Sequence, residues 1–193
     1  MKGFYRFGYI LLYPFFHILF RIRVKGRENI PEGPALICAN HSAYSDPPIL
    51  AFAFGFKHFM RFMAKIELIR IPVFGSLLKL AGTIGVNRGK SDVKAIKTAL
   101  GALKSGEKVA IFPEGTRVSE SDAVSAKTGA IMLASKTGVP IVPVYIPRHK
   151  KFFSTVNVVI GEPYVLDRIK GGGSEAYSVY ANELMRKIEA LKP

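Results

Sequence analysis

The chain has 193 residues, with 28 Lys and Arg against 14 Asp and Glu, for a formal charge of +14. That length favours one domain with a proper core, and the single cysteine, Cys38, excludes an internal disulfide framework. No Cys/His cluster has zinc-ligand spacing, and the cations are dispersed instead of interleaved with aromatics, which turns the expected polyanion from nucleic acid to anionic lipid.

In chain order, residues 1–21 are expected to form an N-terminal helix and 22–193 a single α/β domain. Phe4 to Phe20 is rich in Phe, Tyr, Leu and Ile, flanked by Lys2, Arg6, Arg21, Arg23 and Lys25. No small-residue cleavage site follows, so a signal peptide is not expected. Phe7 to Phe20 is shorter than the ~20 residues a bilayer core needs, and Pro14 and His17 interrupt it. The pattern predicts an interfacial helix, with Tyr5, Tyr9 and Tyr13 at headgroup level and the flanking cations on anionic lipid. A core helix packed under the sheet is the alternative.

Strand-like runs follow at Ile22–Lys25, Ala35–Ala39, His58–Ala64, Thr83–Val86, Lys108–Phe112, Ile141–Ile146 and Val156–Ile160. Cys38 lies in the second and reads as a buried strand residue, with a catalytic cysteine as the alternative. Helical patterns occupy Pro47–Phe54, Glu67–Leu80 with a proline interruption, Asp92–Leu103 behind Ser91 as N-cap, Ala126–Lys136 and Glu175–Leu191. The alternation indicates one α/β domain around a largely buried mixed sheet flanked by helices.

Two polar blocks stand out. Asn40 to Pro48 holds His41 and Asp46, a base and a carboxylate to orient it, between a strand and a helix. The competing expectation is that Asp46 caps the helix and His41 is an ordinary loop residue, although Ser45 could take over the capping. Phe112 to Arg117 offers Glu114, Gly115, Thr116 and Arg117 directly after a strand, a composition suited to holding an anion. His17, His58 and His149 lack a carboxylate nearby in sequence. Ser42 and Ser45 are candidate nucleophiles, but no G-x-S-x-G elbow occurs, since Gly172-Gly173-Ser174-Glu175-Ala176 fails at its last position. Gly89-Lys90-Ser91 invites a P-loop, yet Ile84 stands where the first glycine is required.

Four segments in order, His41/Asp46, Gly82 to Arg88, Phe112 to Arg117 and Val139 to Val144, resemble the glycerolipid acyltransferases of the 1-acyl-glycerol-3-phosphate (PlsC-type) family. The resemblance spans about residues 24–165. It departs at Gly85-Val86, where family members often have Phe-Ile. The resemblance implies a glycerol-3-phosphate acyltransferase-like fold. It also implies transfer of a fatty acyl group from acyl-CoA or acyl carrier protein to the sn-2 hydroxyl of lysophosphatidate, giving phosphatidate at the cytoplasmic face of the cell membrane. His41 would be the general base, Asp46 its orienting partner, and Lys65 a stabiliser of the thioester oxyanion. Arg88, Glu114, Gly115, Thr116 and Arg117 would form the substrate-phosphate site, with Glu114 orienting an arginine or the glycerol. The acyl donor is a substrate, and no metal or other cofactor is implied. Acylation of another lysophospholipid or lipid hydroxyl, and a lipid or thioester hydrolase using the same dyad, are the alternatives. A non-catalytic basic binding module is the third class.

Overall fold

The computed structural model of the chain describes residues 1–87, 92–117, 126–169 and 173–193. Its strands are β1 (Phe20–Lys25), β2 (Leu36–Ala39), β3 (Met60–Lys65), β4 (Ile84–Val86), β5 (Lys108–Ile111), β6 (Ile141–Tyr145) and β7 (Ser154–Ile160). All seven expected strands form, each within two residues of its expected ends. They make one mixed sheet in the order β1-β7-β6-β2-β5-β3-β4. From β6 to β4 neighbouring strands are parallel, while β7 runs antiparallel to β6 and parallel to β1. The carboxyl ends of five strands therefore share one edge, where α/β sheets build their sites.

Alternation along β2 explains the two-sided core. Leu36 and Cys38 face one layer, and Ile37 and Ala39 the other. The first layer packs under α5 (Val93–Lys104), α6 (Gly129–Thr137) and α7 (Gly173–Glu189), with Ala99, Leu103, Ile131, Leu184 and Ile188 buried against it. The second lies under α1 (Lys2–Leu19) and α2 (Asp46–Phe54). Cys38 is fully buried, and burial pushes its thiol pKa well up, which fits a strand residue and not a nucleophile.

The expected helix at Glu67–Leu80 divides into α3 (Ile66–Arg70) and α4 (Phe74–Leu80) around Pro72 and Val73. The departure from Phe-Ile falls on β4, where Gly85 faces α3. A Cβ there would meet Ile66 Cδ1 at 2.5 Å and Ile69 Cδ1 at 2.9 Å, so the two α3 isoleucines fill the space that a larger residue would need them to vacate. The cap of α5 is Asp92, whose Oδ1 accepts from the Ala95 N–H at 2.9 Å; the expected cap, Ser91, lies outside the described residues.

The tyrosine expectation for α1 is corrected. Tyr5, Tyr9 and Tyr13 recur every fourth residue and so share one helix face, but that face meets protein. Tyr5 is buried edge-on against Phe59 at 5.2 Å, and Tyr9 and Tyr13 both pack on Phe52 of α2, at 5.0 and 5.5 Å. The opposite face exposes Phe7, Ile10, Leu11, Phe15 and Ile18. The helix is thus apolar on two sides, one packed and one open. Its 18 residues span ~27 Å, and among the described residues no helix is long and apolar enough to cross a membrane.

Candidate active site

Three adjacent parallel strands, β6, β2 and β5, bring their exit loops together, and short polar contacts lock them. Asn40, fully buried, bridges the β2 and β6 exits: its Nδ2 donates to Ile146 O at 2.7 Å and its Oδ1 accepts from the Ile146 N–H at 2.7 Å. The next residue, His41, ties β2 to β5 by donating its N–H to Glu114 Oε2 at 2.7 Å. Its ring stacks on Phe112, with centroids 4.2 Å apart and planes 23° from parallel, which fixes the imidazole's plane.

His41 Nδ1 lies 2.9 Å from Asp46 Oδ2. The Asp46 side chain is fully buried, and Oδ2 also accepts the N–H groups of Ser42 at 2.6 Å and Ala43 at 2.7 Å. The other oxygen, Oδ1, meets Lys150 Nζ at 2.8 Å. Asp46 therefore bonds backward into its own loop, and Ser45, the N-cap of α2, makes no side-chain cap bond either. Burial pushes the Asp46 carboxyl up, but the bond from His41, the Lys150 charge and the Ala43 N–H together hold it below its ordinary value. An ionised carboxylate only accepts, so Nδ1 carries a proton, and in the neutral imidazole the free lone pair is then on Nε2.

A folded value below the unfolded one means that Asp46 adds stability in full above the ordinary carboxylate range near ~4. That stability is lost as pH falls through the lower folded value. Thermal unfolding of the wild type should steepen its decline below about pH 4, and Asp46→Asn should lack that component.

Glu114, expected to orient an arginine or the glycerol, meets an arginine. Its side chain is fully buried, with Oε2 on the His41 N–H and Oε1 on Arg148 Nη2 at 2.8 Å, so it faces the protein interior and not an anion. It does orient an arginine, but that arginine is Arg148. The same Nη2 also bonds Glu189, near the end of α7. Burial works against the Arg148 charge, yet the bonds to Glu189 and Glu114 outweigh it and hold its pKa above the ordinary value. Burial likewise pushes the Glu114 carboxyl up, against the pull of Arg148 and the His41 N–H.

The Gly115 N–H closes a turn on Phe112 O at 3.0 Å, with Gly115 at φ 71°, where glycine is favoured. Thr116 and Arg117 beyond it are exposed. The Arg117 guanidinium sits 3.7 Å from the centroid of the Tyr44 ring, which brings the second polar block against the His41–Asp46 loop. Lys65 ends β3 on the same edge, one strand beyond β5, and pairs with Glu67 at 3.6 Å with its side chain half exposed. Arg88 lies outside the described residues.

Asn40, Phe112, Arg148 and Lys150 carry roles that the sequence reading did not assign. The signal for the last two was present: Pro147-Arg148-His149-Lys150-Lys151 is a dense basic run immediately after β6. Lys150, 3% exposed, also donates to Ser42 Oγ at 2.9 Å, and that hydroxyl donates to Arg148 O at 3.0 Å. Ser42 is committed to this network, which argues against a serine nucleophile. Beside it opens a pocket of about 530 Å³, walled by Phe16, Leu19 and Phe20, by Ala43 to Ser45, and by Arg148 to Lys150 with Phe152. Its lining mixes apolar and polar residues, a composition that suits an amphiphile.

The family model described as Acyltransferase matches residues 21–147. A 1-acyl-sn-glycerol-3-phosphate acyltransferase of Borreliella burgdorferi is 33% identical over 189 residues, covering 89% of this chain and 73% of that protein. A chloroplastic 1-acyl-sn-glycerol-3-phosphate acyltransferase of Arabidopsis thaliana is 32% identical over 93% of this chain, which spans half of that relative's length, 50%. The crystal structure of the 1-acyl-sn-glycerophosphate acyltransferase PlsC from Thermotoga maritima matches 99% of this chain and 78% of its own, with a TM-score of 0.67 and 29% identity. With matching family model, relatives and fold, the chain belongs to the PlsC-type 1-acyl-sn-glycerol-3-phosphate acyltransferase family.

Proposed function

We propose that this protein transfers a fatty acyl group from the thioester of acyl-CoA or acyl carrier protein to the sn-2 hydroxyl of lysophosphatidate, forming phosphatidate. The observation that carries this reading is the His41 Nδ1–Asp46 contact at 2.9 Å, with the carboxylate held from both oxygens. Asp46 fixes the tautomer that leaves Nε2 as the base. Nε2 takes the hydroxyl proton as the oxygen attacks the thioester carbonyl. The tetrahedral intermediate collapses, the C–S bond breaks, and the thiolate leaves with the proton returned by His41. Phe112 and the Glu114-held N–H keep the imidazole in place throughout.

Arg117 and Thr116, exposed beside Tyr44, are assigned to the acceptor phosphate, with Arg88 completing the clamp. Arg117→Ala should lower kcat/KM for lysophosphatidate by about 10–100-fold, mostly through KM, as removal of a charge-assisted contact requires. Steady-state kinetics with varied acceptor measure it.

The open face of α1, with Phe7, Ile10, Leu11, Phe15 and Ile18, lies in the interface of the cell membrane's cytoplasmic leaflet, flanked by Lys2, Arg6 and Arg21. That placement sets the amphiphilic pocket, which α1 helps to wall, beside the lipid. The reaction is tested by mass spectrometry of lipid products after incubation with acyl-CoA and an acceptor panel. Phosphatidate formation supports it; free fatty acid released equally with and without acceptor would mean a hydrolase.

A further inference from the structure

Beyond α1, the largest run of exposed apolar residues lies on the α3–α4 hairpin. Ile71, Val73, Phe74, Leu77 and Leu80 are 45%, 74%, 48%, 46% and 54% exposed. In α4 the positions 74, 77 and 80 follow helical spacing, so they form a stripe. The hairpin is a built element. Gly75 packs so tightly on α3 that a Cβ would meet Ile69 O at 2.1 Å. At its apex Val73 has φ 61° and ψ −63°, the rare and strained γ-turn, closed by the Phe74 N–H donating to Pro72 O at 2.6 Å. A β-branched residue in that region is an outlier that packing must maintain. Here the turn holds a valine outward instead of burying it.

We propose that the α3–α4 hairpin is a second bilayer-docking element, inserting Val73, Phe74 and Leu77 among anionic phospholipids. Two observations favour a lipid surface over a protein partner. The patch is predominantly aliphatic and aromatic, with exposed Arg70 and Lys79 at its margins to meet headgroup phosphates, and its one exposed acid, Glu67, is paired with Lys65. It also adjoins α1: a Cβ on Gly82, just beyond α4, would lie 3.2 Å from Met1 Sδ. Two apolar elements that meet where the start of α1 reaches Gly82 give the domain a fixed orientation that a single helix does not. The proposal rests on the membrane placement of α1 given above.

The chain contains no tryptophan, so single-Trp probes report without background. Leu77→Trp and Ile18→Trp would be examined with phosphatidylcholine vesicles, with and without phosphatidylglycerol, and with acyl-chain-brominated lipids as quenchers. Both probes should shift to the blue and be quenched on anionic vesicles. Phe74→Ser/Leu77→Ser should lower vesicle partitioning by about 10–100-fold in a variant that still unfolds cooperatively, since only about half of each residue is buried. If the Ile18→Trp probe responds and the Leu77→Trp probe does not, the hairpin proposal is overturned and the α1 placement stands. If neither responds and the protein does not float with vesicles, both fail. A blue shift at Leu77→Trp produced by protein concentration alone, or by an acidic carrier protein alone, would assign the patch to a second copy or to that partner and overturn the proposal.

Discussion

His41→Ala is expected to lower kcat by about 10²–10⁴-fold, the range lost when a positioned general base is removed. Binding of lysophosphatidate should survive, since the phosphate contacts assigned to Arg117 are untouched. The effect should be nearly uniform across donors, because the proton transferred belongs to the acceptor. Removing the ring takes away its stacking on Phe112, but the backbone N–H bond to Glu114 remains, so the loop keeps its anchor. Single-turnover kinetics with equilibrium binding of the acceptor separate the two outcomes. Retained turnover in a variant that still binds would remove His41 from the mechanism.

The second large effect belongs to a residue with no family motif behind it. Lys150→Met should destabilise the fold by about 3–5 kcal/mol, because it strands the fully buried Asp46 carboxylate without the cation on Oδ1. For a domain of this size that corresponds to a fall in Tm of roughly 10 °C. Ser42 Oγ loses its donor at the same time. Replacing both charges, Asp46→Asn with Lys150→Met, should recover part of the loss, since no unpaired ion is left inside. A double variant as unstable as the sum of the two singles would mean that the pair is not coupled.

The fold was legible because periodicity carries it. The seven strands are short apolar runs bounded by turns, and β2 shows both its buried faces in four residues, Leu36 to Ala39. The division of α3 from α4 was signalled by Pro72, but the γ-turn at Val73 was not, because nothing in a valine announces positive φ. The direction of α1 was misjudged for a physical reason: a stripe of tyrosines is equally suited to a headgroup layer and to a wall of Phe52 and Phe59, and only the partner decides. At the site, His41 and Asp46 stood out because their spacing is local. Arg148 and Lys150 did not, since Glu114 lies 34 residues before Arg148 and Asp46 roughly 100 before Lys150. Glu114 drew attention through its neighbours Thr116 and Arg117, yet its carboxylate turns the other way.

The separation between Asn40 and Ile146, 106 residues, has a consequence for how the protein comes into being. A chain emerging from the ribosome contains the whole His41–Asp46 loop long before β6 exists. Until Ile146 clamps Asn40 and Lys150 reaches Asp46, the carboxylate has no cation and the loop no floor. The His41–Asp46 pair is thus completed by one of the last strands to be made, so a half-folded chain carries the motif without the geometry. Unfinished molecules would lack the arrangement that the proposed reaction requires.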